Sequence, residues 1–326
     1  MRINLRSENI KDYPAIAEIN ALAFSASGST GNIGKTEMVL VDVLRHAPDF
    51  DPDWSLVAEV DGQVVGHALF HPYRAFIQGE EIAAVGLHPI AAHPAFQKQG
   101  VGSALMLEGH RLLKEKGVVF SFLYGHPSYY PRFGYQTHVL GMCCVEIERK
   151  NIPASTGRIE ERQLEPGDVE QVVAMWKTWF MDVPLVIFPG SSFLDWVTHF
   201  ETFETSVVFI EGELRGFLRW RPDDPEKIRF FLAKDKEATA QLLGHLNQKY
   251  SHHPSPSLQI PVHPAAAATK NWLPCPYAGK ADPWDAGMIK ILDEGNRTIR
   301  AYCDSVRAGK QMVGIVIYPP YVDEAW

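Results

Sequence analysis

Two glycines one residue apart, in Gln97-Lys98-Gln99-Gly100-Val101-Gly102-Ser103-Ala104-Leu105, stand where a polar loop gives way to an amphipathic run. Glycine lets a backbone come close to a ligand and aim successive N–H groups at it. The start of a helix adds unpaired N–H donors and a partial positive charge. The chemistry open to such a turn is the holding of phosphate oxygens. Local charge agrees: Gln97 to Lys116 carries four basic residues (Lys98, Arg111, Lys114, Lys116) and two acidic ones (Glu108, Glu115), in a chain of net charge −8. A P-loop would need Gly-Lys-[Ser/Thr], which Gly102-Ser103-Ala104 does not supply. A dinucleotide fingerprint would need a third glycine where Leu105 stands. Taken alone, Gly-x-Gly at a helix start reads equally well as a tight turn packed on a strand.

The elements around the turn must hold it in place. The pattern predicts an amphipathic helix over 100–116, with Val101, Leu105, Met106, Gly109, Leu112 and Leu113 on one face and Gly117 ending it. Before the turn, 81–92 reads as a long apolar strand; after the helix, 118–124 reads as a buried one. Upstream lie a short extended segment at 3–6, an N-cap at Asp12, a helix from Tyr13 to Phe24, and a hairpin of 55–60 and 64–70 around Asp61-Gly62. A further strand is expected over 73–77.

The succession of a strand, His88-Pro89, Gln97-x-x-Gly100-x-Gly102-x-x-Leu105 and an amphipathic helix closely resembles the acyl-CoA-binding motif of the GNAT superfamily of N-acyltransferases. Tyr130-Pro131-Arg132-Phe133-Gly134-Tyr135 resembles the Tyr-x-x-x-Gly-aromatic element that closes the same site. The resemblance covers about residues 1–145. It implies an α+β fold, with a mixed, mostly antiparallel central sheet flanked by helices, and acetyl-CoA as co-substrate. It implies that the strand backbone at Ile90, Ala91 and Ala92 pairs with the pantetheine arm. The turn Gln97, Lys98, Gln99, Gly100, Val101, Gly102 and Ser103 would hold the pyrophosphate, with Lys98 either meeting a phosphate or staying solvated. Tyr130 would protonate the departing thiolate, or else serve as an aromatic wall; Tyr129 is expected to pack.

The chemistry is consistent with that assignment. A primary amine is protonated at neutral pH and must lose a proton before attacking a thioester. Thiolate is a tolerable leaving group, so alignment of two substrates in one pocket supplies much of the rate and no covalent enzyme intermediate is needed. Candidate proton acceptors on or beside the strand are Glu80, Glu81, His88 and His93, of which His88 and Glu81 are singled out, with a water chain the alternative.

A repeat follows. Ile3, Arg6, Asp12 and Phe24 recur 156 residues later as Ile159, Arg162, Asp168 and Phe180, and Asp61-Gly62-x-x-x-Gly66 recurs 150 residues later as Glu211-Gly212-x-x-x-Gly216. Two coincident patterns in the same order argue for duplication of one α+β unit. The expected division is a catalytic domain over 1–150 and a related, degenerate one over 155–326, joined at Ile152-Pro-Ala-Ser-Thr-Gly157. The second copy has Ala233-Lys-Asp-Lys-Glu237 where the glycine turn should stand, so Asp235 and Glu237 take the place of a phosphate. That half is expected to shape the acceptor site, or else to stabilise the fold or a homodimer.

Composition bounds the rest. At 326 residues, about two domains are expected. The negative charge argues against nucleic acid as a partner, and no apolar run is long enough to span a membrane. Four cysteines without C-x-x-C spacing and thirteen histidines without a ligand motif point to no metal. Cys143-Cys144 and the tryptophans of the second half read as core. With no signal-peptide pattern at the first residues, the expected location is the cytoplasm. The expected function is acetyl transfer to the primary amine of a small molecule. The rivals are a protein or peptide N-terminus as acceptor, a non-catalytic CoA sensor, and a nucleotide-binding module.

Overall fold

The computed structural model describes residues 1–25, 33–198, 202–224, 228–317 and 319. The chain runs β1 (Asn4–Ser7), α1 (Tyr13–Ser25), α2 (Ile33–Arg45), β2 (Ser55–Val60), β3 (Gln63–Ile77), β4 (Glu80–Ala92), α3 (Val101–Glu115), β5 (Phe120–Tyr124) and β6 (Leu140–Glu148). It continues through β7 (Ile159–Arg162), α4 (Val169–Phe180), β8 (Val186–Phe188), β9 (Glu204–Ile210), β10 (Glu213–Trp220), β11 (Phe230–Ala233) and α5 (Lys236–Lys249). It closes with β12 (Ser257–Ile260), α6 (Ala267–Trp272), β13 (Ala278–Trp284), β14 (Gly287–Ile291), α7 (Arg297–Arg307) and β15 (Gly314–Val316).

An eleven-stranded sheet has the order β12-β6-β15-β8-β3-β4-β5-β14, with β2 and then β1 on β3, and β13 on β6. A second sheet of four strands has the order β11-β10-β9-β7. Among the described residues only β4–β5, β15–β6 and β15–β8 pair in parallel. The architecture is therefore α+β with mixed, mostly antiparallel sheets. Among the described residues of 155–326, β8, β12, β13, β14 and β15 join the large sheet. Apolar strands such as Gly287–Ile291 extend the β5 edge, covering main-chain groups that would otherwise be unpaired.

Helix α3 lies on one face of the large sheet. Val101, Leu105, Met106 and Leu113 pack with Leu56, Ala58, Ala68, Phe70, Val85 and Leu87. The approach is close enough that a methyl on Gly66 would collide with Val101. On the opposite face Ile16, Leu40, Val41 and Leu44 of α1 and α2 join Leu69, Tyr73, Phe120 and Phe122.

The correspondence seen in the sequence extends to individual bonds. Arg6 grips Asp12 through two hydrogen bonds of 2.6 and 2.9 Å, and Asp12 also accepts from the Asn9 N–H at 2.8 Å. Arg162 grips Asp168 at 2.7 and 2.8 Å, and Asp168 accepts from the Glu165 N–H at 2.8 Å. Both hairpins turn through left-handed pairs, Asp61-Gly62 and Glu211-Gly212. Both then slip register before the glycine that faces a helix, Gly66 against α3 and Gly216 against Leu242 of α5.

The sequence suggested two strands over 64–77; the structure has one. Pro72, which lacks a ladder donor, sits where β3 has a strand neighbour on one side only among the described residues. β2 pairs no further than Leu69, and β8 joins at Arg74.

Candidate functional site

β4 and β5 pair only at Ala84–Gly86 against Phe120–Phe122. Beyond that point β4 follows β3 alone, through Ile90↔Ala68, Ala91↔His67 and Ala92↔Gly66. A bulge intervenes, since Phe70 faces Leu87 and Ala68 faces Ile90, which leaves His88 and Pro89 opposite one residue. The two strands thus part, and the β4 backbone at Ile90–Ala92 has no strand partner on the β5 side among the described residues.

The chain then turns into α3. Gly100 is the N-cap, at φ +93°, a left-handed conformation that a side chain would resist. Its place needs no room, because a methyl there would meet nothing within 4 Å. Gly102 answers a different demand: a methyl on it would lie 2.8 Å from the Tyr129 hydroxyl. No side chain caps the helix, so its first N–H groups are free to bind an anion.

A cleft of about 730 Å³ opens at this junction. Its walls are the end of β4, the turn, the first helical turn and the segment from His126 to Arg132. Of the residues singled out from the sequence, Ile90, Ala91, Ala92, Gln97, Lys98, Gly100, Val101, Gly102, Ser103 and Tyr130 all line it. Gln99 does not; its amide turns back to the Ala95 carbonyl at 2.8 Å. Among the described residues no acidic one lines the cleft, whereas Lys98 and Arg132 do. In a chain of charge −8 this is a local electropositive surface.

Tyr130 lies across the end of β5, its ring against the Gly125 backbone, where a methyl would collide with it. Tyr129 and Tyr135 bracket the ring edge-on, at 5.0 and 5.9 Å between centroids. Burial raises the Tyr130 phenol above its ordinary value, so it carries its proton at neutral pH. Tyr135 is structural. Its hydroxyl bonds Ser121 at 2.8 Å and His110 at 3.2 Å, tying α3 to β5 behind the cleft.

The two candidate bases are not on the cleft. His88 is fully buried on the opposite side of the bulge, with its ring against Tyr73 and Phe122. Desolvation pushes it down to about 3. Glu81 lies at the other end of β4, opposite Phe76, and is held by Arg74 at 2.7 and 2.5 Å. Sequence reasoning missed Phe96, His126, Ser128 and Arg132 as lining residues and gave Tyr129 only a packing role. The signal available for Arg132 was a lone cation inside an aromatic run.

The start of α5, by contrast, is occupied from within. Asp235 caps α5 by accepting from the Ala238 N–H at 2.9 Å, and Arg215 binds Asp235 and Glu237 at 2.9 and 3.4 Å. Cys143 is buried with its thiol raised by desolvation and near the Val313 carbonyl, as a core residue would be. Among the described residues no group of His, Cys, Asp and Glu could hold a metal ion, and no helix is long and apolar enough to cross a membrane.

A family profile described as an acetyltransferase (GNAT) domain matches residues 4–138. The uncharacterised N-acetyltransferase YjhQ of Escherichia coli K12 is 35% identical over 127 residues, which are 38% of this chain and 65% of that protein. YhbS of the same strain, also an uncharacterised N-acetyltransferase, is 38% identical over 82 residues, 25% of this chain and 48% of that one. The chain thus spans between about half and two thirds of the length of these relatives. A probable N-acyltransferase of known structure from Enterococcus faecalis V583 superposes over 90% of this chain and 73% of its own, with a TM-score of 0.66 at 16% identity. That likeness extends the shared fold beyond the first 138 residues. With the parted strands, the uncapped glycine turn and the profile match in agreement, residues 4–138 match a GNAT acetyltransferase domain.

Proposed function

We propose that this protein transfers an acetyl group from acetyl-CoA to the primary amine of a small molecule, directly and within a ternary complex. The observation that carries the reading is the acid-free cleft, where the free β4 edge, the uncapped α3 start and Tyr130 converge. The pantetheine arm would pair with Ile90–Ala92 as an added strand. The pyrophosphate would rest on the N–H groups from Gln99 to Ser103, and the thioester would then lie near Tyr130. The neutral amine attacks the carbonyl carbon, the C–S bond breaks, and the Tyr130 hydroxyl gives its proton to the departing sulfur; the proton shed by the amine nitrogen leaves through water, and a proton from water restores the Tyr130 phenol. Since His88 and Glu81 are off the cleft, no side chain of β4 is assigned the amine's proton. The names of the relatives, both uncharacterised N-acetyltransferases, agree with acetyl transfer.

The second half is read as a degenerate copy that shapes the acceptor site. Its support is a smaller cavity of about 290 Å³ at the gap in β3 pairing, walled by His71, Pro72 and Tyr73 from the first half and by Phe188, Gly190 and Asp195 from the second. Incubation with acetyl-CoA and a panel of primary amines, followed by thiol release and product mass, tests the reading. Release that depends on an amine, with one acetyl group gained, is expected. CoA binding without release for any amine would mean a sensor instead, and acetylation of peptide N-termini alone would move the acceptor to a macromolecule.

A further inference from the structure

We infer that Arg132 clasps the pyrophosphate of the CoA thioester, an assignment that rests on the cleft being the acyl-CoA site. Arg132 stands on the cleft wall in the short turn Tyr130–Phe133. Its guanidinium donates to the Ser103 hydroxyl at 3.1 Å, so it reaches over the first turn of α3. It lies over the ring of Tyr129 at 4.1 Å and close to that of Phe133 at 4.8 Å.

Three features separate it from the arginines held in ion pairs. Arg6, Arg45, Arg74, Arg111, Arg162 and Arg215 each bind a carboxylate. Arg132 has no acidic partner among the described residues. A guanidinium carries five N–H donors, and one of them accounts for Ser103. The aromatic platform fixes its plane at little further entropic cost. Such a planar, charged and mostly unengaged fork beside an uncapped helix start is matched to a bidentate phosphate contact. The Ser103 hydroxyl, an acceptor from Arg132 in this state, has its own proton to donate to the same phosphate. The Tyr129 hydroxyl beside Gly102 places the platform over the same turn.

Calorimetry with CoA and with dephospho-CoA, which keeps the pyrophosphate but lacks the 3′-phosphate, tests this on the wild type and on Arg132→Ala and Arg132→Lys. Arg132→Ala should weaken both ligands by the same factor, roughly 10- to 100-fold. Arg132→Lys should lie between, and thermal midpoints should stay at the wild-type value. An unchanged affinity in Arg132→Ala overturns the assignment. So does a loss confined to CoA, which would place the charge on the 3′-phosphate. A lowered midpoint in both variants with equal loss would make Arg132 structural. If the wild type binds neither ligand, the cleft is not an acyl-CoA site and the assignment falls with it.

Discussion

Replacing Tyr130 with phenylalanine removes one oxygen from the site and little else. The ring contacts with Gly125, Tyr129 and Tyr135 survive in the variant. No hydrogen bond from the Tyr130 hydroxyl to a described residue is lost, so stability should change by no more than about 0.5 kcal/mol. Ground-state binding of acetyl-CoA should also persist, because the phenol is assigned to the leaving sulfur and not to the phosphates. Loss of a positioned proton donor costs roughly 10²- to 10⁴-fold in kcat, equivalent to about 3–5 kcal/mol of barrier. The expected result in a steady-state thiol-release assay is therefore a fall in kcat of that size, with the KM for acetyl-CoA retained. Burial raises the phenol's pKa, so wild-type kcat should show no loss from Tyr130 ionisation up to about pH 9. A variant whose kcat stays within about twofold of wild type would show that Tyr130 is a wall of the pocket, and the proton step would have to be reassigned.

Gly102→Val should raise the KM for acetyl-CoA, because its side chain would meet the Tyr129 hydroxyl and stand over the N–H groups of the turn; steady-state kinetics at varied donor concentration check it, and unchanged KM would contradict the loop assignment. Gly66→Ala and Gly216→Ala should each cost about 1–3 kcal/mol by overpacking, since each methyl collides with one helix, Val101 of α3 or Leu242 of α5. Denaturant midpoints should fall for both, and a neutral Gly216→Ala would show that its contact with Leu242 is not a tight one. Burial lowers His71 to about 4, His88 to about 3 and His110 to about 4, all from 6.5. The folded state then binds fewer protons than the unfolded one. Stability from these groups is full above pH 6.5 and is lost as pH falls from there towards 4, by up to about 1.4 kcal/mol per pH unit for each. Thermal midpoints between pH 7 and pH 4.5 read this directly, and a flat profile would contradict it.

The site was legible where local chemistry alone dictates geometry. A left-handed N-cap needs a glycine, so Gly100 marked the helix start. Asp61-Gly62 fixed the first hairpin, and Arg6 with Asp12 and Arg162 with Asp168 marked equivalent entries to α1 and α4. What stayed hidden depends on contacts between distant segments. The three-residue β8 carries too little pattern to be read, yet it fills the sheet between β3 and β15. The strands after residue 257 are pinned by β5 and β6, far away in sequence. His88 had a suitable intrinsic pKa, but a bulge turned its side chain into the apolar face behind the cleft. Arg132 was invisible as a site residue because its meaning comes from Ser103, 29 residues upstream, and from the lack of an acid beside it.

The central claim is that the junction of β4 and α3 seats an acyl-CoA. A crystal structure with bound CoA tests it most directly. The account predicts the diphosphate within hydrogen-bonding distance of the N–H groups from Gln99 to Ser103, the pantetheine arm alongside Ile90–Ala92, and the sulfur near Tyr130. CoA bound elsewhere on the chain, or in this cleft with its diphosphate away from the glycine turn, would contradict it.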